Sequence, residues 1–352
     1  MIVSMFLYAV IKLYLILNIY QQAHYQFKLY LKHFLYNLIF YDLFPCIVLV
    51  LGMLQNEFII VLICSIYICL FSIFYLIARV KLKFTKRMCR VILMSLLYLC
   101  IGFIPYIGIY LLLFIEFSIL PVLFLERGIS HWLNLPYIRK AKEKLKGYNG
   151  NTIAITGSFG KTSTKVLLNQ ALSLFYSSAA TPKSYNTELG ISKFINQIPD
   201  LNVYQNIILE FGASHKKDIL KLKEIGKPKV CFITGIGYMH VETFGSIEAI
   251  IQEKMSLIED SRIAVLNYDC EYIRTYPVPG NVHVISYGLS NGEYQAKNIS
   301  NQEFDLYKED VLLAHFKTNL VGRHQLLNLT GVLAYLYELG CDLEVLERAA
   351  LS

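Results

Sequence analysis

Residues 152–165 read Thr-Ile-Ala-Ile-Thr-Gly-Ser-Phe-Gly-Lys-Thr-Ser-Thr-Lys, and this stretch decides the fold of the second half of the chain. Thr152–Thr156 is a short β-branched run that reads as a buried strand. Gly157, Ser158, Phe159 and Gly160 turn the chain, Lys161, Thr162 and Ser163 follow, and the spacing of Val166, Leu167, Ala171 and Leu174 predicts a helix. A strand, a glycine turn, Lys-Thr and a helix in that order make a phosphate cradle. The glycines let backbone N–H groups approach phosphate oxygens, and the helix N-terminus adds partial positive charge. Lys161 is placed to reach the terminal phosphates, and the Thr162 hydroxyl to ligate Mg²⁺. The plain alternative is a strand-turn-helix with a surface lysine. Four agreeing signals favour a nucleoside triphosphate site.

Outside this stretch the composition is uneven. The chain is 55% hydrophobic and 14% aromatic over 352 residues. Of its 26 acids, only Asp42, Glu57, Glu116 and Glu126 fall within residues 1–126. The sequence predicts an α-helical transmembrane region over 1–126, a basic connector over 127–150 (Arg139, Lys140, Lys142, Lys144, Lys146) and an α/β domain over 151–352. Ile2–Tyr20 and Glu57–Ala78 are each long and apolar enough to span a bilayer, which takes about 20 helical residues. Leu43–Leu54 suits a half-span, and Val91–Glu126 suits two helices turning near Pro105–Gly108, for about five spans in all. Lys81, Lys83, Lys86, Arg87 and Arg90 read as a cytoplasmic loop, as do Lys28 with Lys32, so the positive-inside bias puts everything after residue 127 in the cytoplasm. The expected location is thus a bacterial inner membrane, multi-pass, with the second half cytoplasmic. Lys12 fits snorkelling. Glu116, deep in an apolar run, is a site candidate. The net charge of +7 reads as membrane-flanking excess, not nucleic-acid binding. The eight cysteines show no CxxC or metal-ligand spacing and read as reduced apolar residues.

Strand and helix signals alternate after the phosphate loop. Asn206–Glu210, Lys229–Thr234 and Arg262–Asn267 read as strands, and Asp218–Ile225, Ser246–Asp260 and Gln325–Leu339 as helices. Such alternation predicts a mostly parallel sheet covered on both faces, with ligands at the carboxyl ends of its strands. Glu210 ends its strand and is placed to hold Mg²⁺ near Lys161, although a solvated strand-end acid reads as well from position alone. His240 stands among three glycines in residues 234–246, after a strand end and before Lys254.

The ordered set resembles the Mur ligase family, the ATP-dependent amide-forming enzymes of cell-wall precursor synthesis, nearest the branch that adds D-alanyl-D-alanine. The resemblance covers about 150–352 and rests on the Thr156–Thr162 loop, Ser184-Tyr185-Asn186-Thr187-Glu188-Leu189-Gly190, Leu209-Glu210-Phe211-Gly212-Ala213 and His240-Val241-Glu242-Thr243-Phe244-Gly245-Ser246. Lys254, Leu266-Asn267, and Gly322-Arg323-His324 with Asn328 complete it. The resemblance implies that Lys161 holds the β- and γ-phosphates, and that Thr162 and Glu210 hold Mg²⁺. It implies that His240 and a carbamylated Lys254 hold a second Mg²⁺, that Asn328 lies against adenine with Arg323 and His324 nearby, and that Asn186 approaches the substrate. The implied chemistry is phosphorylation of a carboxylate by ATP and amine attack on the acyl phosphate. The metals and Lys161 would offset charge on the transferred phosphoryl.

Two departures stand out. A membrane bundle is expected where the family carries a soluble nucleotide-sugar domain. The chain reaches Ser352 just past the helix that in the family precedes a C-terminal domain, so that domain is expected to be absent here: either the sequence is truncated, or a separate chain supplies the domain, or the activity is not ligation. The expected function is a membrane-anchored carboxylate–amine ligase. Its partners would be a cell-envelope precursor (a UDP-muramyl-peptide or a lipid-linked one) and an amino acid or dipeptide. A capsule- or polyglutamate-type ligase and a non-catalytic or truncated ATP-binding membrane subunit are the alternatives.

Overall fold

The computed structural model describes residues 2–22, 30–31, 82–100, 119–300 and 302–351. The chain divides into two compact units, Met1–Leu133 and Asn134–Ser352.

In the first unit, helices α1 (Ile2–Gln22) and α2 (Lys86–Cys100) pack together. Helix α3 (Leu120–Lys146) begins here and runs on into the second unit. Lys12, Leu13, Ile16, Leu17, Asn18 and Tyr20 of α1 are all buried. Glu126 of α3 is fully buried and accepts from Arg87 Nε at 2.9 Å and from an Arg90 guanidinium nitrogen at 3.3 Å.

The described helices overturn the transmembrane reading. Among the described residues, no helix is long and apolar enough to cross a membrane. Helix α1 buries Lys12 and Asn18. Helix α2 opens on Lys86, Arg87 and Arg90. Arg87 and Arg90, expected in a cytoplasmic loop, lie inside α2 as ion-pair partners of Glu126. Among the described residues, the transmembrane bundle and the multi-pass membrane location are therefore not supported. The expected spans at Leu43–Leu54 and Glu57–Ala78, the turn near Pro105–Gly108, and Lys28, Lys32 and Glu116 lie outside the described residues.

The second unit is an α/β domain. Its nine strands are β1 (Asn151–Thr156), β2 (Ser178–Ala180), β3 (Asn206–Glu210), β4 (Val230–Ile233), β5 (Ile263–Asn267), β6 (His283–Gly288), β7 (Tyr294–Ser300), β8 (Glu303–Lys308) and β9 (Val311–Lys317). They form one sheet in the order β2-β3-β1-β4-β5-β6-β7-β8-β9. Pairing is parallel from β2 to β7 and antiparallel from β7 to β9.

Side chains alternate between the two faces of each strand, so each strand feeds two cores. Ala154, Ile207, Leu209, Cys231, Ile233, Ala264 and Leu266 pack on one face. That face is covered by α5 (Glu188–Gln197), α6 (Asp218–Gly226) and α8 (Ile247–Met255) through Ile191, Ile219 and Ile250. Ile153, Ile155, Ile208, Val230, Phe232 and Val265 pack on the other. There α4 (Lys161–Ser173), α10 (Arg323–Glu338) and α11 (Leu343–Leu351) close over them through Leu168, Leu333 and Leu346. Burial of such a side chain contributes about 1.5–3 kcal/mol. The short helices α7 (Val241–Phe244) and α9 (Glu271–Arg274) follow β4 and β5. β1 and β3 run in register, with Ile155 opposite Glu210, so both strands deliver their carboxyl ends to one place.

Candidate functional site

β1 ends at Thr156 and the chain turns through Gly157 and Gly160, whose φ angles are 154° and 79°. At Gly160 the angle is left-handed, which a side chain disfavours. A Cβ there would also sit 2.8 Å from Asn328 Oδ1. The loop is pinned by the segment after β4. Ser158 N donates to the Gly235 carbonyl at 2.6 Å, Gly237 N donates to Ser158 Oγ at 3.0 Å, and Thr234 N donates to the Thr156 carbonyl at 3.0 Å. Asn267, buried at the end of β5, in turn donates to the Thr234 carbonyl at 2.7 Å. Three strand ends thus fix the loop.

Helix α4 begins on Gly160 with no side-chain cap. The N–H groups of its first turn, in Lys161, Thr162 and Ser163, therefore have no intrahelical acceptor, an arrangement suited to an anion. Lys161 Nζ donates to the carbonyls of Gly157 at 2.7 Å and Ser158 at 3.3 Å. Lys254, on α8 and 3% exposed, donates to the same Gly157 carbonyl at 3.2 Å. Burial lowers the Lys161 pKa, and nearby Glu210 opposes the shift. Burial, reinforced by the Lys161 charge, brings Lys254 down to about 8.

Glu210 is the hub. It is 1% exposed at the end of β3. Thr162 Oγ1 lies 3.2 Å and 3.1 Å from its Oε1 and Oε2. Asn186 Nδ2 donates to Oε1 at 3.3 Å, and Lys165 Nζ to Oε2 at 2.9 Å. Lys165 also donates to the Lys183 carbonyl. Gly212 N donates to the Asn186 carbonyl at 2.8 Å, and a Cβ on Gly212 would meet Asn186 Cγ at 2.8 Å. Only glycine there lets the Asn186 loop come so close.

The donor chemistry fits a small divalent cation. A hydroxyl and a carboxylate are hard oxygen ligands, and their separation is close to the edge of about 3 Å in a Mg²⁺ octahedron.

The structure therefore brings Lys161, Thr162, Asn186, Glu210 and Lys254 around the loop, with Asn328 buried against Gly160. His240 is exposed at the start of α7, with φ of 64°. Arg323 and His324 are exposed in the first turn of α10. Phe159 is exposed at the loop tip. Among the described residues, no group of three or more His, Cys, Asp or Glu side chains is placed to hold a metal. Sequence reasoning does not single out Lys165. The one signal for it is a lysine four positions after Lys161, hence on the same helix face, in a stretch followed by Leu167 and Leu168.

Residues 155–336, just over half of the chain, match the model of the Mur ligase middle domain. The UDP-N-acetylmuramoyl-tripeptide–D-alanyl-D-alanine ligase of Mycobacterium tuberculosis (strain ATCC 25618 / H37Rv) is 30% identical over 206 residues, which are 56% of this chain and 40% of that protein. The Escherichia coli (strain K12) ligase of the same name is 27% identical over 210 residues, 55% of this chain and 45% of that protein. MurF ligase from Thermotoga maritima in complex with ADP superposes with a TM-score of 0.54 at 29% identity, covering 62% of this chain and 52% of that one. MurF from Acinetobacter baumannii shares the fold at the same TM-score and 23% identity, covering 62% of this chain and 49% of that one. The chain spans about half or less of the length of these relatives. On the family match and the shared fold, this chain belongs to the Mur ligase family and carries its middle domain.

Proposed function

We propose that this chain binds ATP with Mg²⁺ and serves a carboxylate–amine ligase of cell-wall precursor synthesis. Its acyl substrate would be a UDP-muramyl-peptide and its amine an amino acid or dipeptide. The observation that carries the reading is the meeting of Thr162, Glu210 and Asn186 beside an uncapped helix start and Lys161. The names of the relatives, which specify a UDP-muramoyl-tripeptide and D-alanyl-D-alanine, and the ADP in the Thermotoga maritima complex support it.

The residues divide the work. The N–H groups of residues 157–163 and the Lys161 ammonium bind phosphate oxygens and hold them in place. Thr162 Oγ1 and Glu210 would hold Mg²⁺, which supplies charge neutralisation at the phosphates. Asn186 orients Glu210 and faces the substrate side. Asn328, set against Gly160, is assigned to the adenine side with Arg323 and His324. Lys254, with its pKa near 8, holds much of its amine neutral near that pH. A neutral amine attacks CO₂ and loses a proton to give the carbamate assigned to it. His240 is assigned beside it to a second cation on the resemblance alone. ATP supplies the phosphoryl that turns the substrate carboxylate into an acyl phosphate, and the amine displaces phosphate to leave an amide.

Phosphate release tests the reading. The full chain with ATP, Mg²⁺ and UDP-muramoyl-tripeptide should release phosphate on addition of D-alanyl-D-alanine. ATP binding without phosphate release, or release driven only by glutamate, would overturn the substrate assignment.

A further inference from the structure

Lys165 has no part in the function just described, yet it is among the most deeply buried cations of the second unit. Its side chain is 3% exposed and pairs with Glu210, 2% exposed, at 2.9 Å. Its second hydrogen bond goes to the Lys183 carbonyl. Asn186, three residues on in the same loop, holds the other oxygen of Glu210. The carboxylate is therefore gripped from both sides, with both oxygens turned to Thr162.

The charges matter as much as the geometry. Among the described residues, Glu210 is the carboxylate on Thr162, and Lys165 neutralises it. Lys161 adds positive charge on the nearby Gly157 carbonyl, as does Lys254 as long as it is an uncarbamylated ammonium. A free divalent cation entering here meets a field of net positive sign, little screened by salt because Lys165 is buried. A nucleotide reverses that sign with its phosphates.

We propose that Lys165 is a positioning residue that makes cation binding at Glu210 conditional on nucleotide: it fixes the carboxylate toward Thr162 and cancels its charge, so the metal binds only with phosphates. The inference rests on reading Thr162 and Glu210 as the cation ligands. A purely structural ion pair would behave otherwise. Removing its lysine would cost stability and bring no gain in metal binding.

The test is Mn²⁺ binding to the full chain without nucleotide, followed by electron paramagnetic resonance. K165M should bind free Mn²⁺ at least about tenfold more tightly than the native protein. K165R should stay weak, and K165M/E210Q should fall back to the native level. Mg²⁺ should raise the Tm of K165M more than that of the native protein. Equal Mn²⁺ affinity in native and K165M proteins, or a gain that survives in K165M/E210Q, would overturn the proposal. If K165M does not fold, K165Q takes its place, since its amide still donates to the Lys183 carbonyl. The native protein also decides the matter alone. An ATP analogue should sharpen its Mn²⁺ binding at least about tenfold, and no sharpening overturns the proposal. Failure of the analogue to bind would overturn the proposed function, and the native and K165M affinities for free Mn²⁺ would still decide the role of Lys165.

Discussion

Thr162 Oγ1 stands 3.2 Å and 3.1 Å from the two carboxylate oxygens of Glu210, joining the first turn of α4 to the end of β3. Neither residue is near the other in sequence. The parallel register of β1 and β3 brings them together. If this pair holds the cation, Glu210→Gln removes the anionic ligand and keeps the shape. The gain in nucleotide affinity that Mg²⁺ confers should then drop by about tenfold or more. Affinity without Mg²⁺ should hold or rise, because a negative charge has left the phosphate site. Titration of an ATP analogue with and without Mg²⁺ measures both.

Gly160 takes a left-handed backbone angle in the loop. Gly160→Ala must place a side chain at φ 79° and within 2.8 Å of Asn328 Oδ1. The left-handed angle alone costs about 1–2 kcal/mol, and displacement of Asn328 adds to it. Urea unfolding should show a loss of about 1–3 kcal/mol, with weaker nucleotide binding. An unchanged midpoint would mean that the loop does not hold this conformation.

Lys254 gives a pH signature. Its pKa falls from 10.5 in the unfolded chain to about 8 in the fold, chiefly through burial. Between those values the unfolded state binds more protons, so this residue makes stability rise with pH from about 8 to about 10.5. The rise amounts to at most about 3 kcal/mol. Below pH 8 it is a constant cost of burying the ammonium. Lys254→Met should remove the rise and be the more stable form at pH 7. The difference in unfolding free energy between the two proteins, followed from pH 7 to 10.5, isolates this group from the tyrosines that titrate nearby. A flat difference would contradict the assigned cause.

Much of the site is legible in the amino-acid sequence. Thr152–Thr156, Asn206–Glu210, Lys229–Thr234 and Arg262–Asn267 are apolar runs because parallel strands covered on both faces have no polar side to show. Gly157 and Gly160 mark a turn because the angles there exclude most side chains. Three things are not legible. The β7–β8–β9 hairpins hide because their turns place Gln302, Glu309 and Asp310 at positive φ, where glycine is the usual signal. Lys165 reads as one lysine among many, since only the fold shows that it points inward at Glu210. The helices of the first unit read as lipid-facing because apolar composition says that a surface is buried without saying against what. The buried positions of Lys12, Asn18 and Glu126 are the answer for the described residues.

The most direct test is binding of a fluorescent ATP analogue to the full chain in Mg²⁺, compared with Lys161→Ala. The loop, the uncapped start of α4 and Glu210 together require saturable one-to-one binding. Loss of the Lys161 ammonium, a charge-assisted contact, should weaken it about 10- to 100-fold while the far-ultraviolet circular dichroism stays unchanged. No saturable binding in the native protein, or equal affinity in the two, would contradict the assignment of this loop as a nucleotide site.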